Sequence, residues 1–559
     1  MRNFKYYPCE KIHDLREMFV FSTSRYADHP FFYKFENDAY RTITYTEFRH
    51  DVNSLGAAFL RRGLDGKKII IMGENSYEWC VTYMAVACGL GITVPVDKEI
   101  SAEDLAAIAK DSGVSAIVFS EKCREKAMGA GRKLQKFSFE DIFDICKRED
   151  VYSEEDYLTY FNRSINIDEL SAIVYTAGTA GTPKGVMLSQ RNICSNLEGH
   201  ARLVNFTDED RVFSVMPLHH VYECTAGFLF PMSRGASIAF PENAKSIMKN
   251  IKELSPTKLL CVPVVIETLY RKIWENIRKH GNEKKVRNVI KIINLVRPET
   301  AKATAQKKVF SDIHASLGGN LNLIISVGSP VDSEALRGIR DFGLNVIQEY
   351  GLTECAPLVA ANPDTAPKDN SVGVVLPGGE LKIVAKDECG IGEIYYRGDN
   401  VMLGYYKQPE LTDEIKKNGW LGTGDLGYID EDGYLVVIGR KKNAFTVSGK
   451  TVYPEEIEMM LRRNPFVSEC AVVGVMNGEK NDNDVIALIY PDFDYVREAF
   501  GRRAVDPKLS AEYSKLVDGV NSLLPSHKKI TSVIIRTEEF AKTSSRKIKR
   551  TKLAEYARS

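Results

Sequence analysis

Short apolar runs alternate with amphipathic segments over the first two thirds of the chain. The runs have the length of buried strands, and the segments between them carry apolar residues three and four positions apart, as helices do. The clearest predicted strands are 69–72, 92–96, 114–119, 170–175, 321–327 and 346–350. Helices are predicted at 76–89 and after Ser101, which is a typical N-cap. Strands that alternate with helices in this way favour parallel sheets joined by right-handed crossovers.

The rhythm changes after residue 373. Short strands with turn residues between them, at 381–384, 392–396 and 434–438, predict a small β-rich subdomain. Beyond them the pattern is mixed, with a helix that starts within 453–457 and a strand at 469–475. We therefore place a domain boundary near Arg440 to Lys442.

Length and composition indicate an ordinary globular protein of several lobes. At about 150 residues per domain, 559 residues suggest three or four lobes. The 75 Lys and Arg residues balance the 75 Asp and Glu residues, so overall charge gives no reason to expect nucleic acid as a partner. The eleven cysteines form no C-x-x-C pair or zinc-like spacing, and the N-terminus lacks the apolar core of a signal peptide. We expect a cytoplasmic protein with reduced thiols.

The segment 175–185, YTAGTAGTPKG, has the composition of a phosphate-binding loop. It follows a predicted strand and combines glycines, threonines and one lysine, which can offer N–H groups, hydroxyls and an ammonium to phosphate oxygens. The familiar G-x-x-x-x-G-K-[ST] loop does not fit, because Pro183 precedes Lys184 and Gly185 follows it. From these residues alone, a mobile surface loop is almost as well supported as phosphate binding.

The same segment resembles the signature loop of the adenylate-forming superfamily, which includes acyl-CoA synthetases, luciferases and peptide-synthetase adenylation domains. The resemblance implies that six residues contact the nucleotide phosphates: Thr176, Gly178, Thr179, Gly181, Thr182 and Lys184. Ala177 and Ala180 stand where the family usually has Ser and Thr, so we expect weaker pyrophosphate contacts.

The segment 348–354, QEYGLTE, resembles the adenine-site motif of that superfamily. The resemblance implies that Tyr350 lies along the adenine, Thr353 contacts the α-phosphate and Glu354 holds Mg²⁺. An aromatic face suits a base, and a carboxylate suits a hard divalent cation. The other nucleotide contacts implied here are Glu349, Gly351, Gly328 and Ser329. The alternative is a strand-to-loop corner with a surface glutamate.

Two further resemblances concern the acid and the C-terminal region. The segment 217–223 is similar to the family's acyl-pocket segment, and His220 matches a histidine beside the substrate carboxylate. A histidine pair in apolar surroundings is more often core packing. Asp425, in T-G-D, matches the residue that accepts hydrogen bonds from the ribose hydroxyls.

The segment 439–457 resembles the motif that joins the two domains of this superfamily. It implies that Arg440 reaches the nucleotide, that Lys442 is a hinge and that Gly449 lines the thiol tunnel. Lys547 matches the lysine that bridges the attacking carboxylate and the α-phosphate, although Arg546 replaces the family's usual Gly. A basic C-terminal run is otherwise usually solvated.

Taken together, these motifs imply an α/β fold and an enzyme most like long-chain fatty acid–CoA ligases. The implied N-terminal AMP-binding domain, 1–439, has two doubly wound α/β subdomains and a small β-rich subdomain, and a small mobile α+β domain, 440–559, follows it. The implied reaction activates a medium- or long-chain fatty acid with ATP and Mg²⁺ to acyl-AMP, releases pyrophosphate, and transfers the acyl group to CoA. An acyl carrier protein is the alternative acceptor, and a degenerate nucleotide-binding module is the alternative outside catalysis.

A basic insertion follows Ile266. From Arg271 to Lys308 it carries twelve Lys or Arg residues against three Glu. Its apolar positions at helical spacing form a stripe of Val286, Val289, Ile290, Ile293 and Val296. One hypothesis is that this face contacts an anionic membrane peripherally. A solvated helix packed on the core is at least as well supported.

Overall fold

The computed structural model describes residues 4–147, 153–176, 183–243, 245–500, 507–542, 548–550 and 553–557. The chain forms two compact units rather than the predicted three or four lobes. Unit 1 comprises Met1–Leu381, Tyr396–Leu421 and Asp430–Leu435, and unit 2 comprises Lys382–Tyr395, Gly422–Ile429 and Val436–Ser559. The last segment of unit 2 begins a few residues before the predicted boundary, but unit 2 also takes two earlier segments. The division into 1–439 and 440–559 stays a prediction.

The strands are numbered in chain order. They are β1 Pro30–Glu36, β2 Ala39–Thr44, β3 Lys68–Met72, β4 Ile92–Val96, β5 Ala116–Phe119, β6 Gln135–Ser138, β7 Leu170–Thr176, β8 Lys184–Ser189, β9 Arg211–Ser214, β10 Ser237–Ala239, β11 Lys258–Cys261, β12 Leu323–Val327, β13 Asn345–Gly351, β14 Leu358–Ala361, β15 Val374–Val375, β16 Glu380–Val384, β17 Gly392–Arg397, β18 Gly404–Tyr405, β19 Lys416–Lys417, β20 Trp420–Ile429, β21 Leu435–Arg440, β22 Phe445–Val447, β23 Lys450–Val452, β24 Val467–Asn477, β25 Asp482–Pro491 and β26 Ser532–Ile535.

The α-helices are numbered in the same way. They are α1 Leu15–Arg25, α2 Tyr45–Arg61, α3 Tyr77–Ala85, α4 Ala102–Ser112, α5 Arg124–Gly129, α6 Phe139–Lys147, α7 Glu154–Phe161, α8 Gln190–Ala201, α9 Phe230–Ser233, α10 Ile247–Leu254, α11 Pro263–Lys279, α12 Glu283–Ile293, α13 Glu299–Val309, α14 Ser311–Ser316, α15 Ser333–Asp341, α16 Pro409–Ile415, α17 Pro454–Arg462, α18 Phe493–Phe500, α19 Pro507–Leu523 and α20 Leu553–Tyr556. Within the described residues, no helix combines the length and the apolar character needed to cross a membrane.

Unit 1 contains a seven-stranded sheet in the order β18-β8-β7-β4-β3-β5-β6. Strands β6, β5, β3, β4 and β7 are parallel, and β8 and β18 add an antiparallel edge. Alternate residues of β3 enter different cores: Ile69 and Ile71 pack with α2 and α3, whereas Ile70 and Met72 pack with α4 and α5. Helices therefore cover both faces, which is the doubly wound arrangement.

A nine-stranded sheet, β15-β14-β13-β12-β11-β9-β10-β1-β2, forms the rest of the large unit's framework. Its centre, β13-β12-β11-β9-β10, is parallel. On β12, Leu323 and Ile325 join the same core as Ile69 and Ile71, whereas Ile324 packs with α10, α11 and α15. One core thus lies between the two sheets of unit 1, and the carboxyl ends of their strands carry the predicted motifs.

Unit 2 is built around a three-stranded sheet, β24-β25-β26. Its two strands β24 and β25 are antiparallel, and α17 and α19 cover one face while Phe540 and Leu553 pack on the other. A two-stranded hairpin, β22-β23, completes this α+β body. The predicted β-rich segments form a five-stranded sheet, β16-β17-β20-β19, with β21 paired to β20.

One predicted helix is shorter than expected. Ser76 caps α3 through a hydrogen bond from Trp79 N, as the sequence suggests, but regular helix ends at Ala85. A π-helical segment, Val86–Leu90, follows, with Gly89 at φ 105°. The chain turns here because it must pass close to Lys67: a Cβ on Gly91 would lie 2.1 Å from the Lys67 carbonyl oxygen.

The apolar stripe of the basic insertion faces inward. Val286, Val289 and Ile290 on α12 pack around a small core of Trp274, Phe310 and Phe342. The hypothesis that this stripe contacts a membrane is therefore wrong, because the same residues cover protein. Apolar residues at helical spacing predict which face of a helix is buried, but they do not identify the surface that covers it.

Candidate active site

The predicted phosphate loop closes a β-hairpin. Strands β7 and β8 pair in antiparallel register, with Thr176 opposite Lys184 and Tyr175 opposite Gly185. A Cβ on Gly185 would lie 2.9 Å from Ile173 Cγ2, so close packing requires this glycine. The loop residues Gly178, Thr179, Gly181 and Thr182, with Ala177 and Ala180, lie outside the described residues. The structure thus places Thr176 and Lys184 at the two ends of the loop.

Lys184 and Glu354 meet the same tyrosine. Tyr405 on β18 pairs with Val186 next to the hairpin, and its hydroxyl donates a 2.7 Å hydrogen bond to Glu354 Oε1. Lys184 Nζ lies 5.3 Å from the centroid of the Tyr405 ring. Sequence reasoning missed Tyr405, because a tyrosine in a short strand carries no distinguishing pattern. The fold brings a predicted phosphate ligand and a predicted metal ligand to one place.

The backbone around Glu354 is held on several sides. Glu354 lies in a 3₁₀ turn, Thr353–Cys355, directly after β13, and its carbonyl accepts a 2.8 Å hydrogen bond from Met402 N. The Cys355 carbonyl accepts from the amides of Asn196 and Asn400 at 3.1 and 2.8 Å. These hydrogen bonds hold the backbone that carries the half-buried side chains of Thr353 and Glu354.

A single carboxylate at this place suits Mg²⁺ bound together with ATP. Among the described residues, no group of three or more His, Cys, Asp or Glu side chains is arranged to hold a metal. Mg²⁺ is commonly bound by one or two carboxylates together with substrate phosphates and water. Glu354, with one oxygen engaged by Tyr405, fits that role.

The predicted adenine residues come from the ends of neighbouring strands. Strands β12 and β13 are parallel, so the Gly328–Ser329 turn after β12 lies beside the end of β13, where Tyr350 is half-buried. Buried Gln348 fixes this turn, because its Oε1 accepts a 2.8 Å hydrogen bond from Val331 N. Gly328 has φ 103°, a left-handed conformation that favours glycine. Both Gly328 and Ser329 are exposed, as residues that contact a nucleotide must be.

Glu349 does not share this surface. Its carboxylate is buried and accepts hydrogen bonds from Tyr222 Oη at 2.6 Å, and lies 2.7 Å from His200 Nε2. Successive side chains of a strand point to opposite faces, so Glu349 faces the core when Tyr350 faces outward. The Glu349 carboxylate is thus engaged in the core, and the predicted nucleotide contact of this residue stays a prediction. Burial, and then Glu349, raises the pKa of Tyr222 well above its ordinary value.

Close packing explains why residue 351, next to the predicted adenine residues, is a glycine. A Cβ on this residue would lie 2.1 Å from the Pro357 carbonyl oxygen. Any larger residue would push the 3₁₀ turn that carries Glu354 away from β14.

Two histidines occupy the predicted acyl-side segment. The rings of His219 and His220 are 4.3 Å apart between centroids. Asn75, which follows β3, holds this segment: it accepts a 2.8 Å hydrogen bond from Leu218 N and donates one of 2.6 Å to the Met216 carbonyl. Burial and the neighbouring His220 lower the pKa of His219 to about 3. His219 is thus neutral near pH 7, and the carboxylate role of His220 stays a prediction.

The acyl-side segment ends in a buried acid. Glu223 starts a π-helical segment, Glu223–Leu229, and is fully buried. Its carboxyl group accepts a hydrogen bond from the Ser214 hydroxyl. Burial raises the pKa of Glu223 well above its ordinary value, which favours the protonated form of the group.

Unit 2 brings together the predicted ribose and nucleotide residues. Arg440 Nε lies 2.7 Å from Asp425 Oδ1, and the Asp425 side chain is only 5% exposed. The backbone of Asp425 is fixed through Thr423, whose hydroxyl accepts from Asp425 N and donates to the Ile394 carbonyl. Arg440 is therefore paired with the carboxylate that is predicted to receive the ribose hydroxyls.

The remaining predicted residues of unit 2 lie on turns. Lys442 is exposed in a 3₁₀ turn, Lys441–Asn443, that follows β21. Gly449 and Ser448 form the two-residue turn of the β22-β23 hairpin, with φ of 74° and 50°. Two positive φ values at the centre of such a loop are typical of a type I′ turn. Lys547 lies outside the described residues, between Lys542 and Ile548, which form an isolated antiparallel bridge.

Comparison of the sequence with known proteins gives a consistent result. The family model described as AMP-binding enzyme matches residues 20–406. The long-chain-fatty-acid–CoA ligase of Escherichia coli O157:H7 is 30% identical over 537 residues, which covers 88% of this chain and 88% of that protein. The long-chain-fatty-acid–CoA ligase FadD15 of Mycobacterium bovis is 26% identical over 595 residues, covering 97% and 96%.

Solved structures share the fold. The anthranilate CoA ligase AuaEII, in complex with anthranoyl-AMP, matches with a TM-score of 0.77 at 20% identity, covering 99% of this chain and 98% of that one. A Mycobacterium tuberculosis fatty acyl CoA synthetase matches with a TM-score of 0.63 at 20% identity, covering 97% and 98%. The predicted fold class, that of the adenylate-forming enzymes, is confirmed. The chain belongs to the AMP-binding enzyme family, as its motifs predicted.

Proposed function

We propose that this enzyme activates a medium- or long-chain fatty acid with ATP and Mg²⁺ to acyl-AMP, and then transfers the acyl group to CoA. The observation that carries the proposal is the convergence of Lys184 and Glu354 on Tyr405. It occurs in a chain that is 30% identical, over 88% of its length, to a long-chain-fatty-acid–CoA ligase. The substrate class rests on that similarity, and the chemistry rests on the site residues.

In the first half-reaction, a carboxylate oxygen of the fatty acid attacks the α-phosphorus of ATP. An oxygen–phosphorus bond forms, the bond to the β-phosphate oxygen breaks, and pyrophosphate leaves. Lys184 stabilises the charge that grows on pyrophosphate, and Glu354 helps to hold the Mg²⁺ that accompanies the phosphates. Thr353 contacts the α-phosphate, and Lys547 reduces the repulsion between the two reacting anions.

In the second half-reaction, the thiolate of CoA attacks the acyl carbonyl carbon, and AMP leaves with the bonding electron pair. The cation that assisted the first step is no longer needed at the carboxylate. We infer that Lys442 is the hinge that exchanges the residues serving the two steps, with Gly449 serving the thiol. Arg440 and Asp425 hold the ribose through both steps.

Pyrophosphate release from ATP and Mg²⁺ tests the proposal. The assay is run with short, medium, long and aromatic acids, each with and without CoA. We expect release with medium- or long-chain acids and a thioester only when CoA is present. Acyl-AMP without thioester would favour an acyl carrier protein as acceptor. ATP binding without release for any acid would favour a degenerate nucleotide-binding module, for which Ala177, Ala180 and Arg546 offer some support.

We also propose peripheral contact with an anionic membrane, through a different face of the basic insertion. Ile292 and Leu295 are 65% and 81% exposed, and the basic residues Lys291 and Arg297 stand beside them. Exposed aliphatic side chains flanked by cations suit a lipid surface. Each cation near an anionic lipid surface adds about 1 kcal/mol to the binding free energy. The proposed fatty acid substrate also partitions into membranes.

Vesicle flotation decides the membrane proposal. We compare phosphatidylcholine vesicles with and without phosphatidylglycerol, using wild type, Leu295→Asp and Lys291→Glu. Flotation with anionic vesicles, reduced by both substitutions, is the expected result. Asp substitution of exposed Met476, on unit 2, is the matched control. Equal flotation of all variants would reject the proposed face.

A further inference from the structure

Tyr405 stands between two groups of opposite charge that have different tasks in the proposed reaction. Its hydroxyl donates to Glu354 Oε1 at 2.7 Å, and its ring faces Lys184 Nζ at 5.3 Å from the centroid. In the described part of the chain, the ammonium and the carboxylate form no ion pair with each other, because each contacts the tyrosine instead.

The tyrosine is held firmly enough to act as a spacer. Only 6% of it is exposed, and it packs in the same core as Val186, Met402 and Leu421. Its backbone N–H donates a 2.8 Å hydrogen bond to Thr412 Oγ1. The next residue, Tyr406, donates its N–H to the Gly185 carbonyl at 2.7 Å, beside Lys184. Tyr405 is thus fixed from both the strand side and the α16 side.

Each contact suits the task of its partner. A hydroxyl that donates to one carboxylate oxygen fixes the rotation of the group and leaves the second oxygen for a cation. The electron-rich face of the ring attracts an ammonium without neutralising it, so the lysine keeps its full charge for phosphate. A direct Lys184–Glu354 ion pair would instead satisfy both groups and compete with Mg²⁺ and with pyrophosphate.

We propose that Tyr405 is a positioning residue that separates Lys184 from Glu354 and orients the Glu354 carboxylate towards Mg²⁺. The proposal rests on the proposed function for the tasks of the lysine and the glutamate. It predicts that loss of the Tyr405 hydroxyl raises the Mg²⁺ concentration needed for ATP binding while the thermal stability of the protein changes little.

The test is calorimetric titration of ATP at a series of Mg²⁺ concentrations, alongside pyrophosphate release. For Tyr405→Phe, we expect the Mg²⁺ concentration that gives half-maximal ATP binding to rise about tenfold, as for other partners of metal-binding side chains. Tyr406→Phe is the matched control, because the hydrogen bond of its hydroxyl, 3.4 Å to the Ser112 carbonyl, does not involve Glu354. Its Mg²⁺ response should equal that of wild type.

Two further variants keep the test decisive. Tyr405→His restores a donor near Glu354 and should recover part of the Mg²⁺ response, which a purely structural role of the ring would not predict. In a Glu354→Gln background, Tyr405→Phe should add no further loss. The thermal unfolding midpoint of Tyr405→Phe shows whether that variant folds, and if it folds poorly the comparison of Tyr405→His with wild type decides the role of the donor.

The outcomes separate this proposal from the proposed function. An unchanged Mg²⁺ response in Tyr405→Phe, or an equal change in Tyr406→Phe, overturns the positioning role. A wild-type protein that binds ATP with Mg²⁺ but releases no pyrophosphate with any fatty acid refutes the proposed function, while the Mg²⁺ comparison still decides the role of Tyr405. A wild-type protein that binds no ATP overturns both.

Discussion

Gly227 leaves the space that the buried Glu223 carboxyl group fills one helical turn away. A Cβ on Gly227 would lie 2.1 Å from Glu223 Oε1, well inside van der Waals contact. Neither the glycine nor the acid is explained by helix propensity, since glycine weakens helices and an unpaired acid avoids the core. Because the two residues are four positions apart in the π-helical segment, the Glu223 carboxyl group has room only where residue 227 lacks a Cβ.

We therefore expect Gly227→Ala to destabilise the protein by about 1–3 kcal/mol, the usual range for overpacking. The measurement is the shift in thermal unfolding midpoint against wild type. Gly129→Ala is the control, because nothing lies within 4 Å of the Cβ it would add. Glu223→Ala in the Gly227→Ala background should restore part of the loss. Equal midpoints for the two alanine variants would contradict this prediction.

The buried His219 gives a pH dependence of stability. Burial and His220 lower its pKa to about 3 in the folded protein, against about 6.5 when unfolded. Between these values the unfolded chain binds more protons, so stability is present above pH 6.5 and falls as the pH drops towards 3. Between pH 7 and pH 5, this residue should remove about 2 kcal/mol of stability.

His219→Gln should reduce the fall in unfolding midpoint between pH 7 and pH 5. The comparison uses His280→Gln as the control, since His280 is exposed on the basic insertion. A His219→Gln protein whose midpoint falls as steeply as that of wild type would show that this imidazole is not the group responsible.

Single residues show which parts of the site the sequence could predict. Lys184 and Glu354 are recognisable because their motifs have a fixed order along the chain. Tyr405 was not recognisable, because its role depends on pairing with a strand more than two hundred residues earlier. The burial of the Glu349 side chain was not recognisable either, although alternation along β13 separates it from Tyr350 once the outward face is known.

At the scale of elements, strands were predicted better than helix ends. Buried parallel strands read as continuous aliphatic runs, and 92–96 matches β4 at both ends. The end of α3 depends instead on the close approach of Gly91 to Lys67, a contact between residues far apart in the chain. The stripe on α12 was found correctly, but its partner core of aromatic residues could not be read from the stripe.

One buried ion pair fastens the last described segments of unit 2 to its core. Both oxygens of Glu458, on α17, accept from Arg550 Nη2 at 2.6 Å, and Glu458 Oε1 also accepts from Val472 N at 2.7 Å. Burial raises the pKa of Glu458, while Arg550 acts to lower it. The carboxylate therefore depends on the arginine to stay charged in the core.

Arg550→Ala should destabilise the protein by about 3–5 kcal/mol, since it leaves a buried acid without its cation. The loss should shrink at acid pH, where Glu458 can take up a proton instead. Differential scanning calorimetry follows the change, and Lys515→Ala, which breaks an exposed pair with Glu512 on α19, is the control. Equal behaviour of the two variants would show that the Arg550 pair contributes little.

At the scale of the whole molecule, each unit carries some of the residues predicted for nucleotide, acid or thiol binding. Lys184, Glu354, Tyr350 and His220 belong to unit 1, whereas Asp425, Arg440, Lys442 and Gly449 belong to unit 2. The sequence shows the order of these motifs along the chain. It could not show that segments of unit 1 lie, in sequence, between the segments that form unit 2. A single linear boundary cannot represent such interleaving.

The lysine that the resemblance assigns to the reacting carboxylate and α-phosphate, Lys547, gives a kinetic prediction. If its charge serves only the attack of the carboxylate on the α-phosphate, Lys547→Ala should lower acyl-AMP formation by about 10²–10³-fold, as loss of one stabilising donor does elsewhere. Thiolysis of supplied acyl-AMP by CoA needs no such bridge and should stay close to the wild-type rate. Separate assays of the two half-reactions measure both effects.

Lys549→Ala is the matched control, because Lys549 is exposed and lies two residues away in the same basic run. A general electrostatic effect of the run would slow the two variants alike, and a folding defect in Lys547→Ala would slow both half-reactions together. Only loss of adenylation with thiolysis intact, in Lys547→Ala and not in Lys549→Ala, assigns the bridging role to this lysine. That outcome would also show that the charge of this lysine serves one of the two chemical steps and not the other.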